Sequence, residues 1–216
     1  MDPQIADGLI HYLGLVLLLT CHEFGHAWMA HKCGDDTARL QGRVSLNPLV
    51  HIDLIGTVVL PLIMIFMPQG VGRFLIGWAK PVPVNLANLK NRNFDDVLIT
   101  AAGPWVNLML AVLLVGLAKV GLMLSSANMY VFCIELAQTS LLLFFFNLLP
   151  IPPLDGSRIA RVVVGMTYET YNQIAQYGFL LLIVVIQIDA IKMAIGSLTD
   201  GSLRIIAGWF GIPLPT

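Results

Sequence analysis

Charged side chains are scarce in this sequence: Asp, Glu, Lys and Arg make up 12% of its 216 residues, about half the share of a soluble domain. Cysteine is nearly absent, and Cys21, Cys33 and Cys133 are too few and too scattered for a disulfide framework or a thiolate metal site. They read as small apolar packing residues. No dense basic cluster exists and the net charge is −1, which excludes a nucleic-acid surface. Neither Lys nor Arg precedes the first apolar stretch, so the N-terminus does not resemble a cleaved signal peptide. Repeats and low-complexity tracts are missing too. The longest polar stretch, 69–96, is too short for a folded module of its own. A single membrane-embedded domain over 1–216 is expected, with a core at about 9–165 and accessory helices at about 166–216.

Apolar residues dominate instead, at 57%, with a mean hydropathy of +0.80. A helix needs about 20 such residues to cross a bilayer. Windows 9–31, 97–119, 128–150 and 172–194 are long enough, and 54–68 is a shorter, proline-containing candidate. The expected fold is an all-α polytopic membrane protein of five to six transmembrane helices. Near its site a re-entrant or β-strand-containing segment is expected. The alternation in 40–48, ending in Asn47-Pro48, predicts a short strand and a turn. Two prolines in 79–85 exclude helix there and predict an extended piece. Residues 196–212 fit either a surface helix or a sixth partial span.

Inside the first window stands His22-Glu23-Phe24-Gly25-His26. Residues four apart on a helix share one face, about 6 Å apart along the axis. Two imidazoles so placed can bind one zinc ion, with Glu23 in reach of a water on the metal. An acid at mid-span costs at least ~2.5 kcal/mol, so this group needs a compensating partner, and a divalent cation supplies one. A catalytic site has a third protein ligand and one open position. His11, His31, His51, Asp53, Glu135, Asp155 and Asp189 are the candidates. Asp155 ranks first, because Pro150, Pro152 and Pro153 end the preceding helix and Gly156 permits a turn at the carboxylate.

His22-Glu23-x-x-His26 followed by Asn147-x-x-Pro150-x-x-x-Leu154-Asp155-Gly156 resembles the site-2 protease family of intramembrane metalloproteases. Ala102-Gly103-Pro104-x-x-Asn107 resembles a further segment of that family. Gly42-Arg43-Val44-Ser45-Leu46-Asn47-Pro48 and Gly77-Trp78-Ala79-Lys80-Pro81-Val82-Pro83 look like its small prokaryotic branch. The resemblance implies one zinc ion on His22, His26 and Asp155, with Glu23 as general base and acid. It also implies that Asn147 helps bind substrate or stabilises the oxyanion. A PDZ or CBS module, common in signalling members, is not expected within these residues. The implied substrate is a transmembrane protein or peptide in contact with membrane lipid, and the oligomeric state is open.

Sharing one ion imposes a topology. His22 and His26 lie toward the C-terminal end of the first span, and Asp155 lies just past the end of 128–150. These two helices must therefore run in the same direction. The span 97–119 supplies one crossing between them, so 54–85 must make no net crossing. One face then collects Lys32, Arg39, Arg43, Arg73, Lys80, Lys90, Arg92, Arg158 and Arg161, nine of twelve basic residues. The positive-inside rule makes that face cytoplasmic. The expected location is the plasma (inner) membrane, multi-pass, with the site near its cytoplasmic side. Asn107, Ser45 and Asn47 are candidates to line a polar channel or bind substrate. Other readings of the same ligands are a zinc transporter, which would need a second metal station, and a non-catalytic scaffold.

Overall fold

A computed structural model describes residues 3–66 and 77–214. Among these residues the chain is all helical, with no β-strand. Helix α1 covers Pro3–Lys32 and α2 is the short Thr37–Leu40. A π-helical turn, Leu54–Val59, leads into α3, Leu60–Phe66. Then come α4 (Arg92–Met123), α5 (Ala127–Asn147), α6 (Asp155–Val163), α7 (Tyr168–Ala175), α8 (Gly178–Val185) and α9 (Asp189–Phe210).

Three helices, α1, α4 and α5, are long and apolar enough to cross a membrane. A fourth span results if α8 and α9, bent by 81°, count as one. The chain is therefore a multi-pass membrane protein with three to four candidate spans among the described residues, which do not confirm the five to six expected. Window 172–194 is not one helix: it divides into α7, α8 and the start of α9. Gly178, the first residue of α8, lies close against Pro152, where a Cβ would stand 2.7 Å from the carbonyl oxygen. Residues 196–212 fall mostly within α9, which runs antiparallel to α5. Gln138 donates to Asp200 (3.1 Å) near its middle, and Tyr130 donates to the Pro213 carbonyl just past its end.

Small side chains let the long helices approach, as intramembrane packing requires. Ala111, Ala118 and Ala137 are fully enclosed between α4, α5 and α9 with Val115, Leu141 and Ile206. Leu13 and Leu17 on α1, and Met109 and Leu113 on α4, stay exposed as a lipid-facing surface requires.

The directions of the helices follow from paired residues. His11 meets Glu135 (2.7 Å), and Gly14 lies against Leu136, so α1 and α5 are parallel. His26 meets Ile99 (2.7 Å) and His22 meets Asn107 (3.1 Å), so α4 is antiparallel to α1. The shared-ion topology demands these directions. Segment 54–85 also returns on itself. The chain leaves Gly56 through α3, and Trp78 N–H donates back to the Gly56 carbonyl (3.2 Å). The path between, within 67–76, lies outside the described residues, as does Arg73.

The strand expected over 40–48 is replaced by the end of α2, turns, and a 3-10 turn at Pro48–Val50. Gly42 adopts φ +70°, and Asn47 caps the 3-10 turn by accepting from Leu49 N–H (3.1 Å). Residues 79–85 are neither helix nor strand.

Candidate metal centre

About two and a half turns of α4, residues 99–107, build the back wall of the site. Ile99, Gly103 and Asn107 follow one another at helical spacing on a single face, and each meets an imidazole of α1. His26 Nδ1–H donates to the Ile99 carbonyl at 2.7 Å. That bond fixes its tautomer and leaves the Nε2 lone pair free. Gly103 supplies space: a Cβ there would lie 2.3 Å from His26 Nε2 and 2.8 Å from His22 Cε1. Gly25 on α1 faces the same contact, where a Cβ would come within 2.9 Å of the Ala102 carbonyl oxygen. Asn107 is fully enclosed, with its Nδ2 3.1 Å from His22 Nδ1 and its Oδ1 without a partner. With the amide turned by 180°, Oδ1 accepts the Nδ1–H of His22 and leaves that Nε2 unprotonated, the form a metal ligand needs.

The third donor arrives from α6, whose first residue is Asp155. Gly156 lets this helix tuck beneath the end of α5, since a Cβ would stand 2.2 Å from the Leu148 carbonyl oxygen. Asp155 Oδ2 lies 3.2 Å from His22 Nε2 and 3.3 Å from His26 Nε2, and the two Nε2 atoms are 3.0 Å apart. Zinc binds imidazole and carboxylate at about 2.0–2.2 Å, so the edges of its tetrahedron measure about 3.3–3.6 Å. The observed edges match or fall a few tenths short of that, and they define three corners with the fourth open. Asp155 Oδ2 is also buried without a hydrogen-bond partner, as an oxygen awaiting a cation would be. The residues fit zinc.

Glu23 stands beside this triangle. Its carboxylate lies within 4.8 Å of a donor atom on each of His22 and His26, and it accepts Val82 N–H at 3.1 Å. Val82 belongs to a strap, 77–85, tied down along its length. Lys80 N–H donates to His51 O (2.8 Å), and Thr57 Oγ1 donates to Trp78 O (2.7 Å). Buried Arg43 donates to Val50 O (2.6 Å), to Pro81 O (3.2 Å) and to Lys80 O. Burial lowers the pKa of Arg43, opposed by Glu23. His51 also sits below its ordinary value through burial, with the Ser45 carbonyl opposing and Arg43 adding.

The other candidate ligands are engaged elsewhere. His11 pairs with Glu135, and His31 with Asp36 at 2.6 Å. His51 Nε2–H donates to Ser45 O (2.8 Å), Asp53 caps the π-helical turn, and Asp189 pairs with Lys192. Ser45 and Asn47 act as turn caps: Ser45 Oγ accepts from Asn47 N–H (3.1 Å). Asn107 is not a channel-lining residue, because it is fully enclosed behind His22. Asn147 is the last residue of α5, half-buried, and its Nδ2 donates to the Leu143 carbonyl (2.9 Å). Sequence reasoning missed Arg43, the Ile99 carbonyl and the Val82 N–H. Only Arg43 carried a local signal, as a cation within an otherwise uncharged turn.

The family model "Peptidase family M50" matches residues 10–131 and 115–186. A Bacillus subtilis protein named "Putative zinc metalloprotease YwhC" is 39% identical over 186 residues, which cover 82% of this chain and 80% of that one. Proteins named "Putative zinc metalloprotease Rip2" also match. The one from Mycolicibacterium smegmatis is 30% identical over 83% of this chain and 67% of its own length. The one from Mycobacterium tuberculosis is 34% identical over 66% of this chain and 52% of its own. No solved structure matches significantly. With a family model over most of its length and relatives named "Putative zinc metalloprotease", the chain belongs to peptidase family M50, the zinc metalloproteases of the site-2 type.

Proposed function

We propose that this protein hydrolyses peptide bonds within or near transmembrane segments of membrane proteins. Zinc, when bound, lowers the pKa of a coordinated water toward neutrality and polarises the scissile carbonyl. His22, His26 and Asp155 would hold the ion, and Glu23 is the neighbouring carboxylate left over for proton transfer. It takes a proton from the attacking water and delivers it to the leaving amine nitrogen. The observation that carries this reading is the triangle of three donors, with the Glu23 carboxylate within 4.8 Å of a donor atom on each imidazole.

Asn107 orients His22 through Nδ1, the kind of contact that normally supports a metal-bound imidazole. Asn147, at the C-terminal end of α5, is a substrate or oxyanion contact. Its side chain would first have to leave the Leu143 carbonyl. Ser45 and Asn47 are secondary substrate contacts.

A substrate helix must unwind before attack, and pairing with segment 79–85 would hold the unwound chain. The N–H groups of residues 78, 80 and 82 already face the protein. Pro81 and Pro83 have none. The carbonyls of Trp78, Lys80 and Pro81 are taken as well, so an incoming strand would pair with the remaining backbone groups of the segment.

Among the described residues, eight basic side chains (Lys32, Arg39, Arg43, Lys80, Lys90, Arg92, Arg158 and Arg161) belong to the segments on the catalytic side, which supports a cytoplasmic orientation in the plasma membrane. A transporter would require a second metal station, and among the described residues one group alone has suitable ligand geometry.

Replacing Glu23 with Gln tests the mechanism. The variant should retain stoichiometric zinc and fail to cleave a model membrane substrate, and cleavage by it would remove Glu23 from its role.

A further inference from the structure

The short helix α6 must deliver Asp155 to imidazoles on another helix, and its own first turn makes no side-chain cap to fix that pose. Its other end is held by charge. Asp96, on α4, is completely enclosed, and both of its carboxylate oxygens are taken by guanidinium groups of α6. Oδ1 accepts from Arg158, and Oδ2 accepts from Arg161 Nη2 at 3.0 Å. Arg161 is itself buried, lies 4.9 Å from the centre of the Tyr168 ring, and donates to Asn93 Oδ1 at 3.4 Å. Planar, multi-donor guanidinium groups on one carboxylate fix orientation as well as distance.

Asp96 also lies on the face of α4 that carries Ile99, Gly103 and Asn107, three, seven and eleven residues further on. That single face reaches all three donors. It meets His22 through Asn107, His26 through the Ile99 carbonyl, and α6, which carries Asp155, through Asp96 and two arginines.

We propose that Asp96 is a positioning residue for the metal ligand Asp155, acting through Arg158 and Arg161 on α6. The proposal rests on reading His22, His26 and Asp155 as the zinc site. An ion cluster of this kind contributes little to stability compared with well-packed apolar side chains, but it specifies geometry. Three charges sharing one locked arrangement are suited to a ligand that must arrive from a separate helix.

Cobalt-substituted protein gives a readout independent of turnover, because the visible absorption of the ion follows coordination number and symmetry. Asp96→Asn should weaken cobalt and zinc binding about tenfold in chelator competition, at the lower end of what outer contacts of a metal site contribute. It should also alter the cobalt spectrum, while helix content and elution volume stay those of the parent. Arg158→Gln, which keeps the Asp96–Arg161 pair, should move both readouts less and in the same direction, and Arg158→Lys should partly restore them. If Asp96→Asn does not fold, Arg158→Gln decides alone. A lower unfolding temperature with unchanged metal affinity and spectrum would make the cluster purely structural and overturn the proposal. Asp155→Ala in the same assay separates the two ideas. An unchanged spectrum there refutes the zinc site itself, whereas a changed one beside an unaltered Asp96→Asn refutes only the positioning role.

Discussion

Gly103→Ala places a methyl group where the structure has two imidazoles. The new Cβ would stand 2.3 Å from His26 Nε2, 2.6 Å from its Cε1 and 2.8 Å from His22 Cε1. Ordinary non-bonded contacts lie at about 3.5 Å, so the rings or the whole α1–α4 contact must retreat by about 1 Å. The donor triangle has edges of 3.0–3.3 Å, so such a shift is near a third of its size. Overpacking of this kind costs about 1–3 kcal/mol of stability. A 1 Å misplacement at a reacting centre costs about a hundredfold in rate. The purified variant should therefore lose zinc at chelator concentrations the parent withstands, and cleave a model substrate about a hundredfold more slowly. Gly201→Ala is the control, since nothing lies within 4 Å of its Cβ. It should keep its zinc and gain up to about 1 kcal/mol of helix stability. Gly103→Ala with the parent's zinc affinity and rate would refute the close packing of α4 on the ligands.

Asn107→Leu should weaken zinc binding by about 10- to 100-fold, whereas Asn107→Asp, which still accepts the His22 Nδ1–H, should largely retain it; metal titration with a chromophoric chelator distinguishes them. Arg43→Met removes charged donors from buried carbonyls and should lower stability by about 1.5–3 kcal/mol, read by thermal unfolding in detergent. Asp35 gives an acid dependence. Burial alone raises its pKa, but hydrogen bonds from Thr37, Asn85 and Asn88 outweigh this and hold it below the ordinary 3.8. Its contribution is therefore complete above pH 3.8 and declines as pH falls through the lower folded value. Asp35→Asn should flatten that part of an acid-unfolding curve.

Local spacing and energetic cost made much of the site legible in the sequence. His22, Glu23 and His26 stand out because a helix aligns residues four apart and because lipid penalises such groups. Asp155 stands out because three prolines and a glycine place it at a helix boundary. The parallel course of α1 and α5 comes from asking two distant segments to share one ion.

Short patterns misled. Alternation in 40–48 lost to stronger turn chemistry, a positive φ at Gly42 and the Asn47 cap. The apolar run 172–194 reads as a span by composition, but the helix is interrupted at 176–177 and again at 186–188, with an 81° bend between α8 and α9. Asn107 lies 85 residues from the imidazole it meets. No local pattern distinguishes such an amide from one facing a channel.

X-ray absorption at the zinc edge, on protein purified with one equivalent of metal, tests the centre most directly. The expected result is two imidazole nitrogens with oxygen filling the remaining positions, all at about 2.0–2.2 Å, and a loss of zinc from Asp155→Ala. A sulfur ligand at about 2.3 Å, which would draw in Cys21, or full zinc occupancy without Asp155, would contradict it.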